Sequence, residues 1–443
     1  MGALLVGVTL PYGGGIPPLR PWWAALALLM AALAVATVDR PLPPVGRVVS
    51  GILVAFAALG VLQARVDRSF FQEGTPFLSR PQVAQLTASP LLPASVSPGA
   101  TASAGWDWAG AGAILFGATL VGTSRRGRRA LLVAVLMGAF LQLCVGLVSL
   151  LSGNQILWGE QLPYFGLRLR GTFVNPNHFA LWLGIAWCVS LGVFAHWLRQ
   201  HRKREEEAVP WALTVSALLS PVVLLAALLA TRSRGALLMV LTTAAVWFLL
   251  YRQSLTSMQR RVLAAGLVLV ALSIAFAGGQ TLFERFVGPT GEGLDTGGRL
   301  TVVQTSLGLW GAHPIWGTGL GTFEVAFSRV QPPELGGRWR HAHQDGAELL
   351  VTTGLVGFAL FLLGAILILR ALFKGFRHAA GSEERDACAA ALLSMVAALV
   401  HGLFDFGITL PANAWLLAAV VGAAVGATGW SRSSYPEELD APT

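Results

Sequence analysis

Charge is scarce in this chain. Asp, Glu, Lys and Arg make up 12% of its 443 residues, while 54% are hydrophobic. A soluble domain carries roughly twice that charged fraction, so a chain solvated by water over its whole surface is excluded. Lysine is nearly absent: of 31 Lys and Arg, only Lys203 and Lys374 are lysine. Cysteine is rare too. Cys144, Cys188 and Cys388 all lie in apolar runs, and no Cys-x-x-Cys pair occurs. They read as small core residues rather than metal ligands or disulfide partners. The N-terminus lacks a basic region and a small-residue cleavage site, so no removable signal peptide is expected.

What is present instead is apolar sequence. Mean hydropathy is +0.64, and runs of about 20 residues, the length of a membrane helix, recur throughout. They are continuous rather than alternating, which excludes a β-barrel. The expected fold is all-α, a single polytopic membrane domain over residues 1–443 with about 12 transmembrane helices. Their centres fall near residues 6, 30, 55, 114, 141, 187, 220, 243, 270, 360, 395 and 420. The first, Met1 to Leu10, is short for a full span, and so is the third, about Val48 to Ala64.

Basic residues set the orientation. Arg125 to Arg129, Arg199 to Arg204, Arg252 to Arg261 and Arg370 to Arg385 lie on one side, expected to be cytoplasmic together with both termini. The two lysines fall there, so every cation on the outer side is arginine. Arginine presents a planar fork that matches phosphate oxygens two at a time. The plainer account is that arginine replaces lysine everywhere in this chain. Three outer loops stand out. Residues 65–105 are rich in Pro, Ser and Ala and read as a flexible loop. Ser152 to Asn175 ends in a motif. Residues 278–345 form the longest loop, with room for one or two external helices.

Five polar groups lie towards the outer face. In "RLRGTFVNPNHFALWLG", Asn175 or Asn177 suits a helix cap and Pro176 a first turn; Arg170 beside that helix entrance makes an anion site. In "TRSRGALL", Arg232 and Arg234 stand at the outer end of two helices, as snorkelling anchors or as ligand contacts. Arg299 opens "GGRLTVVQTSLGLW". "GTGLGTF", 317–323, lacks the strand-turn-helix setting of a nucleotide loop and reads as a turn. "HAHQDGAELL" joins His341, His343, Gln344, Asp345 and Glu348. Imidazole titrates near neutral pH and suits proton abstraction from a sugar hydroxyl. Asp345 or Glu348 can fix its tautomer, and Glu348 equally suits the helix N-terminus. His401 and Asp405 in "LVHGLFDF" are four apart, as on one helical face, and pair either for function or for structure. No outer cluster has convincing metal-ligand spacing.

These segments resemble the O-antigen ligase family, polytopic bacterial glycosyltransferases that also include O-antigen and exopolysaccharide polymerases. The family signature is His, then Asn, Ser or Gln, nine residues, then Gly-x-x-Gly. Here it reads His343, Gln344, 345–353, Gly354-Leu355-Val356-Gly357. The "GTFVNPNHFA", "SRGALL" and "HPIWGTGLGTF" stretches are similar as well. The resemblance implies a GT-C-like, metal-independent, inverting enzyme without cofactor in the bacterial inner membrane, with a periplasmic active site. It implies an undecaprenyl-diphosphate-linked glycan donor and either lipid A-core (the ligase) or a second lipid-linked glycan (the polymerase) as acceptor. It maps the catalytic base to His343 and the diphosphate ligands to Arg170, Arg234 and Arg299, with membrane lipids around the chain and no nucleic acid partner. A transporter is the competing class. It predicts ionisable residues at mid-membrane and repeated halves, and neither is visible.

Overall fold

The computed structural model describes residues 1–14, 16–65, 93–153, 156–158, 160–161, 167–203, 210–261, 264–265, 268, 298–379 and 381–428. Within them the chain is an all-α polytopic membrane protein. In chain order the helices are α1 (Gly2–Thr9), α2 (Arg20–Thr37), α3 (Pro44–Arg65), α4 (Pro98–Gly122), α5 (Arg125–Leu151), α6 (Pro176–Lys203), α7 (Trp211–Ala230), α8 (Arg234–Tyr251), α9 (Arg299–Ala312), α10 (Phe323–Phe327), α11 (Asp345–His378), α12 (Ser382–Gly402) and α13 (Pro411–Ala427). A two-residue antiparallel pair, Ile156–Leu157 with Glu160–Gln161, is the β-structure among the described residues. Eight of the described helical segments are long and apolar enough to cross a membrane.

Each expected centre falls inside a helix except the one near 270, which lies outside the described residues. The first segment is an eight-residue helix, about 12 Å long at 1.5 Å per residue, so it does not cross a bilayer by itself. The loop expected over 65–105 ends earlier, because α4 already opens at Pro98; residues 66–92 lie outside the described set.

Burial sorts the helices into two layers. Every residue from Phe179 to Ser190 in α6 and from Asp386 to Met395 in α12 is buried, so these helices form the centre. The outer helices turn apolar side chains outward, such as Leu28, Leu29 and Leu33 on α2 and Val54, Val61 and Leu62 on α3. Lipid makes that outward face compatible with a stable fold, since it solvates apolar groups as a core does. Helices α4 and α13 meet at backbone distance along small residues. A Cβ at Gly122 would sit 2.4 Å from the Ala423 carbonyl, and one at Gly426 2.3 Å from the Thr119 carbonyl. Small residues are what let lipid-embedded helices approach so closely. At one end of the bundle Glu383 gathers Arg125, Arg128 and Arg129, tying the first turns of α5 and α12 together.

The longest helix is broken. Gly354 inside α11 has φ 63° and ψ −167°, a region open essentially to glycine. The break orphans backbone groups on both sides, and the 314–320 loop satisfies them. Thr318 and Gly319 donate to the Val351 and Thr352 carbonyls, and Leu355 and Val356 donate to the Pro314 and Ile315 carbonyls. The Gln63 amide of α3 joins in, donating to the Trp316 and Thr352 carbonyls. The "GTGLGTF" run is thus the turn expected, with φ positive at Gly317, Gly319 and Gly321. Gly354→Ala should therefore be costly. It meets both a forbidden φ and the Ile315 carbonyl, 2.3 Å from its Cβ, and should destabilise by at least about 1–3 kcal/mol. Gly308→Ala on α9, where a Cβ meets nothing within 4 Å, should be neutral or stabilising by up to about 1 kcal/mol. Denaturant unfolding of the two variants checks this; equal stability would show that the break is not required.

Candidate functional site

One end of the bundle collects the polar segments singled out by sequence. Gln344 precedes α11, and its side-chain oxygen accepts from the Ala347 N–H. The motif position after the histidine is therefore a helix cap, a role for which Asn, Ser and Gln all supply an oxygen. Capping ends the extended chain abruptly, and His343 turns into the left-handed region with φ 53°. Such backbone is uncommon outside glycine, though His is among the residues enriched there.

The His343 ring is held on three sides. Its Nδ1 lies 3.0 Å from Asp405 Oδ1. Trp339 and Phe406 meet it edge to face, with centroids 5.5 and 5.1 Å away. A carboxylate only accepts, so Nδ1 carries the proton and Nε2 is left as a lone-pair acceptor. Asp405 Oδ1 also accepts from the Phe406 N–H at 2.9 Å. Its other oxygen accepts from Asn177 Nδ2 at 2.8 Å and lies 3.6 Å from an Arg299 nitrogen. Burial alone would raise the Asp405 carboxyl. The hydrogen bond from His343 and the positive charge of Arg299 more than offset it, holding the group below the usual carboxylate range.

Two expectations are corrected here. The carboxylate hydrogen-bonded to the His343 ring is Asp405, not Asp345 or Glu348. Asp345 instead accepts from the Gly407 N–H at 3.1 Å and pins the 403–410 loop to the start of α11. Glu348 accepts from His341 Nδ1 at 2.8 Å and from the Ala342 N–H at 3.0 Å, so it holds the segment before the helix while Gln344 does the capping. His401 and Asp405 are not on one helical face either. Helix α12 ends at Gly402, which frees Asp405 to reach His343, while His401 Nε2 meets the Asn177 carbonyl at 3.0 Å.

The arginines divide. Arg299, the first residue of α9, donates to the Phe404 carbonyl at 3.0 Å as well as facing Asp405. Arg234 opens α8, and the next residue, Gly235, would place a Cβ 3.5 Å from the His401 ring. Arg232, exposed and with φ 50°, belongs to the same turn. Arg170 is fully buried, and burial pushes its guanidinium below its usual range. The arginine two residues earlier, Arg168, is the one that reaches the site: its NH2 donates to Asn177 Oδ1 at 2.6 Å. Asn175, not Asn177, caps α6, accepting from the Asn177 N–H at 2.8 Å.

Residues 219–362 match the family model described as O-antigen ligase. That stretch is an O-antigen ligase family domain. The resemblance read from the histidine signature and "SRGALL" is borne out over it. The O-antigen ligase domain contains Arg232, Arg234, Arg299, His341 and His343 through the Gly354 break. It stops short of Asp405 and begins after Asn177 and Arg168. A comparison with curated proteins returns no match.

Sequence reasoning missed Arg168 and Phe406. Arg168 stood inside the quoted "RLRGTF" beside the arginine that was chosen, and nothing in the sequence separates the two. Phe406 looked like one more apolar residue. In the structure His341 stacks on it with centroids 3.7 Å apart, and His178 and His343 pack against it edge to face at 4.3 and 5.1 Å. Among the described residues no three His, Cys, Asp or Glu side chains converge as a metal-holding set.

Proposed function

We infer that this protein is a metal-independent, inverting glycosyltransferase on the periplasmic face of the bacterial inner membrane. It moves a glycan from undecaprenyl diphosphate to an acceptor hydroxyl, and our reading of the acceptor is lipid A-core. The observation that carries this is the His343–Asp405 pair, which leaves an acceptor nitrogen at the start of the signature helix. The acceptor O–H gives its proton to His343 Nε2 as its oxygen attacks the anomeric carbon. The bond from that carbon to the diphosphate breaks, and its electron pair leaves on the diphosphate oxygen. Arg299 and Arg234 stabilise that growing negative charge, as preorganised cations do at departing anions. Attack opposite the leaving group inverts the anomeric centre. With Lys203 and Lys374 read as cytoplasmic, this end of the bundle faces outside.

The test is purified protein in a chelator, with an undecaprenyl-diphosphate-linked glycan and either lipid A-core or a second lipid-linked glycan. Glycan joined to lipid A-core with inverted configuration is expected. A longer lipid-linked chain would make it a polymerase. No bond formed with either acceptor, but glycan carried across a vesicle membrane, would make it a transporter. Recovery only on adding magnesium or manganese would remove metal independence.

Arg299→Ala should lower turnover by about 10²–10³-fold, the usual effect of losing one stabilising donor. Arg299→Lys should restore only part of it, because an ammonium lacks the fork that can meet two oxygens at once. Full restoration by lysine, read as kcat on the same donor, would reduce the role of Arg299 to simple charge.

A further inference from the structure

We propose that Arg168 is a positioning residue for the His343–Asp405 pair, acting through the side-chain amide of Asn177; the proposal rests on the function read above. A primary amide has two nearly isosteric ends, one that donates and one that accepts. Asn177 stands between a group that can only donate and a group that, ionised, can only accept. Arg168 NH2 lies 2.6 Å from its Oδ1, and Asp405 Oδ2 lies 2.8 Å from its Nδ2. Turning the amide over would face its NH2 to a guanidinium and its oxygen to a carboxylate. Both contacts would become repulsive, so the two ends choose one orientation together. With Arg168 removed, only Asp405 holds the amide, and the carboxylate loses a fixed partner on Oδ2.

That fixed partner matters for the base. Asp405 divides its oxygens: Oδ1 for His343 and the Phe406 N–H, Oδ2 for Asn177 and the Arg299 side. Rotation of the carboxylate would withdraw Oδ1 from Nδ1, and the imidazole would lose the contact that keeps its proton there. Arg168 can hold the chain because it is itself anchored. Its Nε donates to the Thr231 carbonyl at 2.8 Å, and the Leu169 N–H donates to the Ala230 carbonyl at 3.0 Å. Both acceptors lie where α7 ends and its last carbonyls face no further turn. The line from the end of α7 to the His343 ring therefore runs Thr231, Arg168, Asn177, Asp405, His343, and each step is a hydrogen bond.

Capping α7 would be a structural role for the same arginine, so the experiment must separate the two. Arg168→Ala, Asn177→Ala and the double variant are purified and assayed with one undecaprenyl-diphosphate-linked donor. Each single variant is expected to lose about 10²-fold in kcat, the scale of a small misplacement at a reacting centre, with donor KM within about twofold. The double variant should be no worse than either single, because groups acting in series are not additive. Multiplied losses would overturn the proposal, as would normal kcat with a lowered melting temperature, or a loss confined to donor KM. A second readout does not depend on turnover. In protein labelled with 15N-histidine, the His343 signal, assigned among the eight histidines by its loss in His343→Gln, should report an Nδ1–H tautomer in the parent and a mixture in Arg168→Ala. An unchanged tautomer would overturn the proposal even if the protein proved to have another activity. A parent that transfers no glycan but shows the tautomer change would overturn the functional reading and leave the positioning intact.

Discussion

His343→Ala is expected to remain folded, inserted and able to bind donor, and to lose turnover by about 10²–10⁴-fold, the range for removing a general base. The ring sits at the surface of the site, 21% exposed, so its removal opens no core cavity. Its Nδ1 is committed to Asp405, and Nε2 is the atom we propose takes the acceptor's proton. The acidic limb of the pH profile should vanish in the variant, because only an unprotonated imidazole can accept a proton. His341→Ala should cost much less. That ring spends Nδ1 on Glu348 and its face on Phe406, outside the signature spacing. The measurement is kcat against pH for both variants with one lipid-linked donor. Near-parental turnover in His343→Ala would falsify the assignment, and the site would then need an explanation through binding alone.

Asp405→Asn should lower turnover by up to about 10⁴-fold while preserving the packing, as expected when an imidazole loses the carboxylate that sets its tautomer. An amide can donate as well as accept, so it no longer forces the proton onto Nδ1. It also presents a neutral group to Arg299, which then faces the site without its counter-ion. The pH dependence fixes which group supplies the acidic limb. The Asp405 carboxyl is held below the usual range in the folded protein. Its contribution to stability is therefore complete above the unfolded-state value and is lost only as pH falls through the depressed folded-state value. It stays ionised wherever the acidic limb of a histidine base is recorded. Asp345→Asn is the control. It loosens the bonds to Gly407 and Ile408, so it should lower the melting temperature more than the rate per folded molecule. Reversal of that order, with Asp345 dominating kcat, would return the tautomer-setting role to Asp345.

Composition and hydropathy were enough to establish membrane helices, because a bilayer demands long apolar runs whatever the tertiary contacts. The signature spacing was legible too, but its physical meaning came from the structure: a histidine, a capping oxygen at Gln344 where the sequence had offered Glu348, two and a half turns of helix, then the Gly354 break. The cap depends on neighbours within one segment, while the break is held by the 314–320 loop and Gln63. What no local reading supplied was the partner of His343. Asp345 and Glu348 are nearer in sequence, but helix direction carries them toward Gly407 and Ala342 instead. Asp405 is 62 residues away in the chain and reaches the ring because α12 stops at Gly402 and the 403–410 loop folds back over α11. The choice between Arg168 and Arg170 was equally closed to sequence. Both precede the same turn, and burial against the bundle takes Arg170 inward while the end of α7 holds Arg168 at Asn177. The sequence by itself determined the membrane helices and the signature histidine at the mouth of α11. Tertiary structure alone decided which charges stand beside that imidazole, because charge acts through space over a few ångströms and the order of residues along a chain does not record those distances.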